Sequence, residues 1–114
     1  MTNNPKLSLI VLHSTPENIE KTLSFYRFLG FKFKQEDHKP CGIHYSSQAG
    51  DVTMEIYIYS HELKKMPPIG LKYTSLNEVV EKLKEEYFCS EEVIDGKRVV
   101  NLRDPDGRKV FLEE

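Results

Sequence analysis

Residues 60–68 carry Pro67-Pro68 and no apolar periodicity, and the chain spells out the same order of elements on both sides of them. Proline lacks a backbone N–H and fixes φ, so the pair reads as linker rather than strand or helix. The repeated order is strand, helix, strand, strand, strand. An order that repeats without repeated residues predicts two copies of one βαβββ module. Module one covers about 6–59, the linker is 60–68, and module two covers about 69–114. With 114 residues, the chain is expected to form a single domain with a sizeable core.

The clearest element is Asp51-Val-Thr-Met-Glu-Ile-Tyr-Ile-Tyr59. Val52, Met54, Ile56 and Ile58 alternate with Asp51, Thr53, Glu55, Tyr57 and Tyr59. Period 2 with β-branched and aromatic residues predicts a half-buried strand. Its second face is both aromatic and acidic, as expected of a strand that packs a helix on one side and lines a cavity on the other. Upstream, Lys6–Leu12 is a short apolar run and predicts a strand. Thr15-Pro16-Glu17 predicts a helix start, with Ile19, Leu23 and Tyr26 as its apolar stripe and Gly30 as its stop, over about 16–29. Phe31–Gln35 predicts a strand, 36–42 a loop, and Ile43–Gln48 a strand turned by Ala49-Gly50. In module two, Ile69–Tyr73 predicts a strand. Ser75 and Glu78 predict a capping box on a helix over about 76–87, whose stripe is Leu76, Val79, Val80 and Leu83. Three strands follow, at Glu91–Ile94, Arg98–Leu102 and Arg108–Glu113, separated by the turns Asp95-Gly96 and Asp104-Pro-Asp-Gly107.

Charged residues make up 30% of the chain, yet the net charge is only −2 and no long run has a single sign. That argues against nucleic acid or an anionic membrane as partner. No apolar run is long enough to span a bilayer, and the first residues lack the apolar core of a signal peptide. Cys41 and Cys89 are too few and too far apart to form a disulfide framework. Reduced thiols in a cytoplasmic protein are expected.

Three stretches carry a family resemblance. Ile19-Glu-Lys-Thr-Leu-Ser-Phe-Tyr-Arg-Phe-Leu-Gly-Phe31 matches a helix ending in Phe-Tyr and Leu-Gly. Val52-Thr-Met-Glu-Ile-Tyr57 matches a glutamate-bearing strand, and Leu102-Arg-Asp-Pro-Asp-Gly107 matches a last turn. With the element order, the chain resembles the vicinal oxygen chelate superfamily of glyoxalase I, bleomycin-resistance proteins and extradiol dioxygenases. The resemblance implies an α+β fold in which two βαβββ modules form a curved mixed sheet around a cavity, with helices on the convex face. It also implies a homodimer in many members, to which the Ile/Tyr-rich strand before the linker would contribute. Metal-dependent members take one ligand from the first and one from the last strand of each module. By position these fall on Glu55, near Leu7–Leu9, on Pro68 and on Phe111. Only Glu55 is a donor, so the usual metal site is not expected and no cofactor is assigned; a divalent ion would need another site.

The histidines offer one way to rebuild a site. If Ala49-Gly50 forms the turn, Gln48 faces Asp51 and His44 sits opposite Glu55, about 5 Å away at Cβ on a shared face. A one-residue slip breaks the pairing. His44 and Glu55 would then be either an acid/base or ligand-anchoring pair, or a structural hydrogen-bonded pair that satisfies two buried polar groups. A third donor from His13 or His38 would make a non-standard metal site. His13, at a strand–helix junction, is otherwise a cap or a surface residue. His38 is expected in an exposed loop able to fold over the cavity mouth as a lid, and His61 is expected in solvent. Thr53, Ser46, Tyr57, Tyr59 and Phe111, with Tyr73, are the candidate ligand contacts, because aromatic walls with few polar groups typify small-molecule pockets. Arg103 and Asp104 are read as turn residues rather than catalytic ones.

Three functions compete. The first is a metal-free small-molecule binding protein of the bleomycin-resistance kind. The second is a metal-dependent lyase, isomerase or dioxygenase using Glu55 and a histidine. The third is a degenerate domain that serves only to bind a partner. Fold alone does not separate them.

Overall fold

Strand β4, Val52–Ile58, lies inside a sheet, and the alternation in its sequence is realised as two unlike faces. The structure is a computed structural model that describes residues 3–40 and 42–114; Cys41 lies outside them, and Cys89 is a free, partly exposed thiol. The chain divides into two compact units, Met1–Leu63 and Lys64–Glu114, each with the order strand, helix, strand, strand, strand. The architecture is α+β, two βαβββ modules.

In module one the sheet order is β1-β4-β3-β2, with β1 (Leu9–Ser14) parallel to β4, and β3 (Gly42–Ala49) and β2 (Lys34–His38) antiparallel. Leu12, Ser14, Met54, Ile56 and Ser47 share one face by register and are buried. Helix α1, Ile19–Phe28, lies on that face, because the hydroxyl of Ser14 donates to Thr22 Oγ1 at 3.1 Å. The helix buries Ile19, Thr22, Leu23, Phe25 and Tyr26. Each large side chain buried this way contributes roughly 1.5–3 kcal/mol. Gly30, at φ +111°, stops the helix in a conformation that L side chains avoid.

Five sequence expectations shift in this module. Helix α1 begins at Ile19 rather than at about 16, because Thr15 instead anchors a turn. Its Oγ1 accepts from Asn18 N–H and its carbonyl from Ile19 N–H. Strand β1 covers Leu9–Ser14 rather than 6–12, so Leu9 and Val11 face outward and His13 lies within the strand. Strand β2 begins at Lys34, not Phe31. Phe31 is buried under the end of the helix, its ring meeting Tyr26 edge-on at 5.8 Å, and its N–H donates to the Tyr26 carbonyl. The hairpin turns at Gly50-Asp51, because Ala49 pairs with Val52. Gly50 at φ +63° then fills the first central position, which glycine favours in two-residue hairpins. At the far end of β4, Ile58 is exposed rather than buried.

Module two repeats the plan with sheet order β5-β8-β7-β6: β5 Ile69–Lys72, α2 Leu76–Glu86, β6 Ser90–Ile94, β7 Lys97–Arg103 and β8 Lys109–Glu113. Ile69, Val100, Leu102, Val110 and Leu112 form its buried face, and α2 buries Leu76, Val80 and Leu83. Arg98 ties helix to sheet by reaching both Asn77 and Glu91. Ser75 is the N-cap residue of α2, but its side chain makes no capping bond, so the capping box is not formed. The Asp104 turn is structural. Its Oδ1 accepts the Asp106 and Arg108 N–H groups at 2.9 and 3.0 Å, and its Oδ2 meets the buried Arg108 guanidinium at 2.5 Å.

Two outcomes follow from this packing. Replacing Asp104 with Ala removes the carboxylate that pairs with the buried Arg108 charge; chemical denaturation should record a loss of about 3–5 kcal/mol. Burial pushes the Tyr73 hydroxyl up to about 12. The folded chain therefore keeps its proton while the unfolded chain, near pH 10, loses it. Stability is fully present below pH 10 and falls as pH rises towards 12. Denaturation midpoints of Tyr73→Phe should fall less steeply with pH over that window than those of the wild type.

Candidate functional site

Side chains that do not enter the core of module one share its other face. By register these are Leu9, Val11 and His13 on β1, Thr53, Glu55 and Tyr57 on β4, His44 and Ser46 on β3, and Lys34, Glu36 and His38 on β2. His44 pairs with Tyr57, and Ser46 with Glu55. The expected His44–Glu55 opposition is therefore two residues off. A shift of two keeps the face, since side chains alternate with period 2. His44 lies diagonal to Glu55, and its Nε2 is 3.3 Å from Glu55 Oε2.

His44 is 1% exposed and is held from three sides. Its Nδ1 lies 3.0 Å from the carbonyl of Gly42. A carbonyl only accepts, so Nδ1 carries the proton. The Tyr57 ring stacks on the imidazole at 4.5 Å and 19°. Nε2 faces two carboxylates, Glu55 at 3.3 Å and Glu36 Oε1 at 3.8 Å, and makes no hydrogen bond among the described residues. The Ser46 hydroxyl donates to Glu36 Oε1, and His38 Nε2 lies 3.1 Å from Glu36 Oε2. The Ser46 hydrogen bond, then that of His38, holds the Glu36 carboxyl below its ordinary range. The Tyr57 hydroxyl reaches Glu55 Oε1 at 3.5 Å.

His38 is therefore not a loop or lid residue. It lies in β2, its ring 5.3 Å from that of His44. Glu36 is the residue that sequence reasoning missed. Its place follows only from the pairing of β2 with β3, which puts 36 and 38 on one strand face and sets 36 opposite 44. The remaining expected contacts scatter. Thr53 donates to Gln48 Oε1 at 2.5 Å, and Tyr59 stacks on His13 at 4.7 Å with its other neighbour His61 at 5.2 Å. Neither residue joins the cluster.

Phe111 lies in module two, on the face of β8 away from the core, paired with Asn101 and Gly70. It lines a pocket of about 560 Å³ with Tyr87, Phe88, Glu92, Asn101 and Arg103. Asn101 Nδ2 donates to Glu92 Oε1 at 3.1 Å, while its buried Oδ1 has no hydrogen-bond partner. Tyr73 is half-buried and does not line this pocket.

No protein-family model matches the chain, and no sequence relative was found among curated proteins. Solved structures do match in shape. The antibiotic-binding protein TnmS3 from Streptomyces sp. CB03234 superposes with a TM-score of 0.78 at 15% identity, covering 99% of this chain and 98% of its own. Lactoylglutathione lyase from Agrobacterium tumefaciens gives 0.76 at 14%, covering 99% and 96%. A bleomycin-binding protein complexed with bleomycin gives 0.68 at 21%, covering 97% and 98%. The chain therefore has the vicinal oxygen chelate fold. At the positions where that fold carries metal ligands, however, Glu55 stands with Leu7–Leu9, Pro68 and Phe111. These residues do not fit a divalent ion, which requires three or four N, O or S donors.

The Gly42 contact predicts the tautomer of neutral His44. Long-range ¹H–¹⁵N correlation spectra should show Nδ1 protonated and Nε2 bare; the reverse pattern would contradict the geometry.

Proposed function

We propose that this chain binds a small molecule rather than transforming one at a glyoxalase-type metal centre. The observation that carries the reading is the module-two pocket, where an aromatic wall and an unpartnered buried acceptor, Asn101 Oδ1, lie together. An unpaired buried acceptor costs about 1–3 kcal/mol, which a ligand N–H or O–H would recover. The preferred ligand thus has an apolar ring for Phe111 and a donor for Asn101, with Glu92 able to favour a cationic group. The fold's occurrence in antibiotic- and bleomycin-binding proteins supports the reading. In the same reading the protein is cytoplasmic, in keeping with its sparse cysteines. Exposed Leu9 and Val11 are its candidate surface for self-association. No described helix is long and apolar enough to cross a membrane.

The test is calorimetry and thermal shift with bleomycin and a panel of aromatic amines. A ligand at a hundred times its Kd raises stability by about 2.7 kcal/mol. Phe111→Ala should weaken binding about tenfold, since a buried aromatic contributes roughly 1.5–3 kcal/mol. A panel in which no compound shifts the melting point would sink the reading. So would binding that Phe111→Ala leaves unchanged.

A further inference from the structure

We propose that module one holds a divalent transition-metal ion between Glu36, His38 and His44, with Glu55 as a fourth donor, at a site distinct from the fold's usual ligand positions. Only Glu55 is common to the two sets.

The strand register assembles the donors. Glu36 and His38 are two apart on β2 and so share a face, and His44 is the cross-strand partner of Glu36. Among the described residues, one ligand atom from each of the three lies within 4.8 Å of the other two. The shortest separations are 3.1 Å from His38 Nε2 to Glu36 and 3.3 Å from His44 Nε2 to Glu55. Ligands held about 2.0–2.1 Å from one tetrahedral ion stand roughly 3.3 Å apart. Glu36, His38 and His44 therefore need only small side-chain movements to meet one ion, which Glu55 would reach beside His44.

A second, independent observation is the state of His44. Its Nδ1 proton is committed to the Gly42 carbonyl, so neutral Nε2 presents a lone pair. That lone pair is buried, makes no hydrogen bond among the described residues and faces two carboxylate oxygens, which are acceptors as well. A cation between the imidazole nitrogen and these two oxygens would satisfy all three. The orientation also suits ligation, since metal-bound histidines commonly donate their other N–H to a backbone carbonyl. Ser46 supports Glu36 in a similar way, by donating its hydroxyl to Glu36 Oε1.

The donor set selects the ion. Two imidazoles suit Zn²⁺, Ni²⁺, Co²⁺ and Cu²⁺ rather than Mg²⁺ or Ca²⁺, which prefer oxygen cages. Two carboxylates with neutral imidazoles balance a dication. His38 is 65% exposed in its side chain, so the ion has an open side for exchange or for a water ligand.

The experiment uses the full chain, free of any polyhistidine tag and stripped with a chelator, titrated with CoCl₂ and ZnCl₂. The expected result is one ion per chain, with Co²⁺ visible bands of four-coordinate histidine–carboxylate ligation. His38→Ala and Glu36→Gln should each weaken binding at least tenfold. His38 is exposed, so its removal tests the site even if His44→Ala fails to fold. Ser46→Ala, acting through Glu36, should cost about tenfold. His61→Ala and Phe111→Ala should leave binding unchanged, which separates this proposal from the fate of the module-two pocket. Absence of saturable binding, or one-ion binding that persists in the His38→Ala/Glu36→Gln double variant, would overturn it.

Discussion

A β-strand sends successive side chains to opposite faces, and the arrangement of this protein depends on that parity. In module one the buried set is Leu12, Ser14, Met54 and Ile56, and α1 covers it. In module two the buried set is Val100, Leu102, Val110 and Leu112, with α2 tied to the same face through Arg98. Every polar or aromatic candidate of interest then lies on the other face, because the apolar residues fix the phase. Glu55 is raised out of the core by Met54 and Ile56 on either side of it. Phe111 is raised likewise by Val110 and Leu112.

Parity also explains which errors of sequence reading matter. Placing the hairpin turn at Ala49-Gly50 instead of Gly50-Asp51 moves the register by two, so His44 and Glu55 stay on one face and still meet at 3.3 Å. An error of one would have sent His44 to the core side. The α1 stripe and the Asp104 turn were legible for a similar reason. Helical spacing and turn chemistry are local signals, and Ile19, Leu23 and Tyr26 are buried as their spacing implies.

Strand β2 was not legible because its state is not local. Phe31 and Phe33 alternate like a strand, yet Phe31 is claimed by Tyr26 at the end of the helix, and Arg27 lies 6.0 Å from the Phe33 ring. Lys34-Gln-Glu-Asp-His38 has the composition of a loop and becomes strand only by pairing with β3. This displacement hid Glu36 and moved His38 from a supposed loop into the sheet. The pocket around Phe111 was half legible: the aromatic residue was evident, but the unpartnered Asn101 oxygen depends on burial that no pattern in the sequence encodes.

The two open faces differ in chemistry, and their core registers account for how each difference is held in place. Glu55 and Phe111 occupy corresponding strands, each flanked by an antiparallel and a parallel neighbour. Beside Glu55, β3 brings Ser46 and the buried His44, and β2 adds Glu36 and His38, so charge and lone pairs accumulate around one imidazole. Beside Phe111, β7 brings Asn101 and β5 brings Gly70. The aromatic wall at Phe111 and the gathering of polar groups around Glu55 are two outcomes of one sheet geometry.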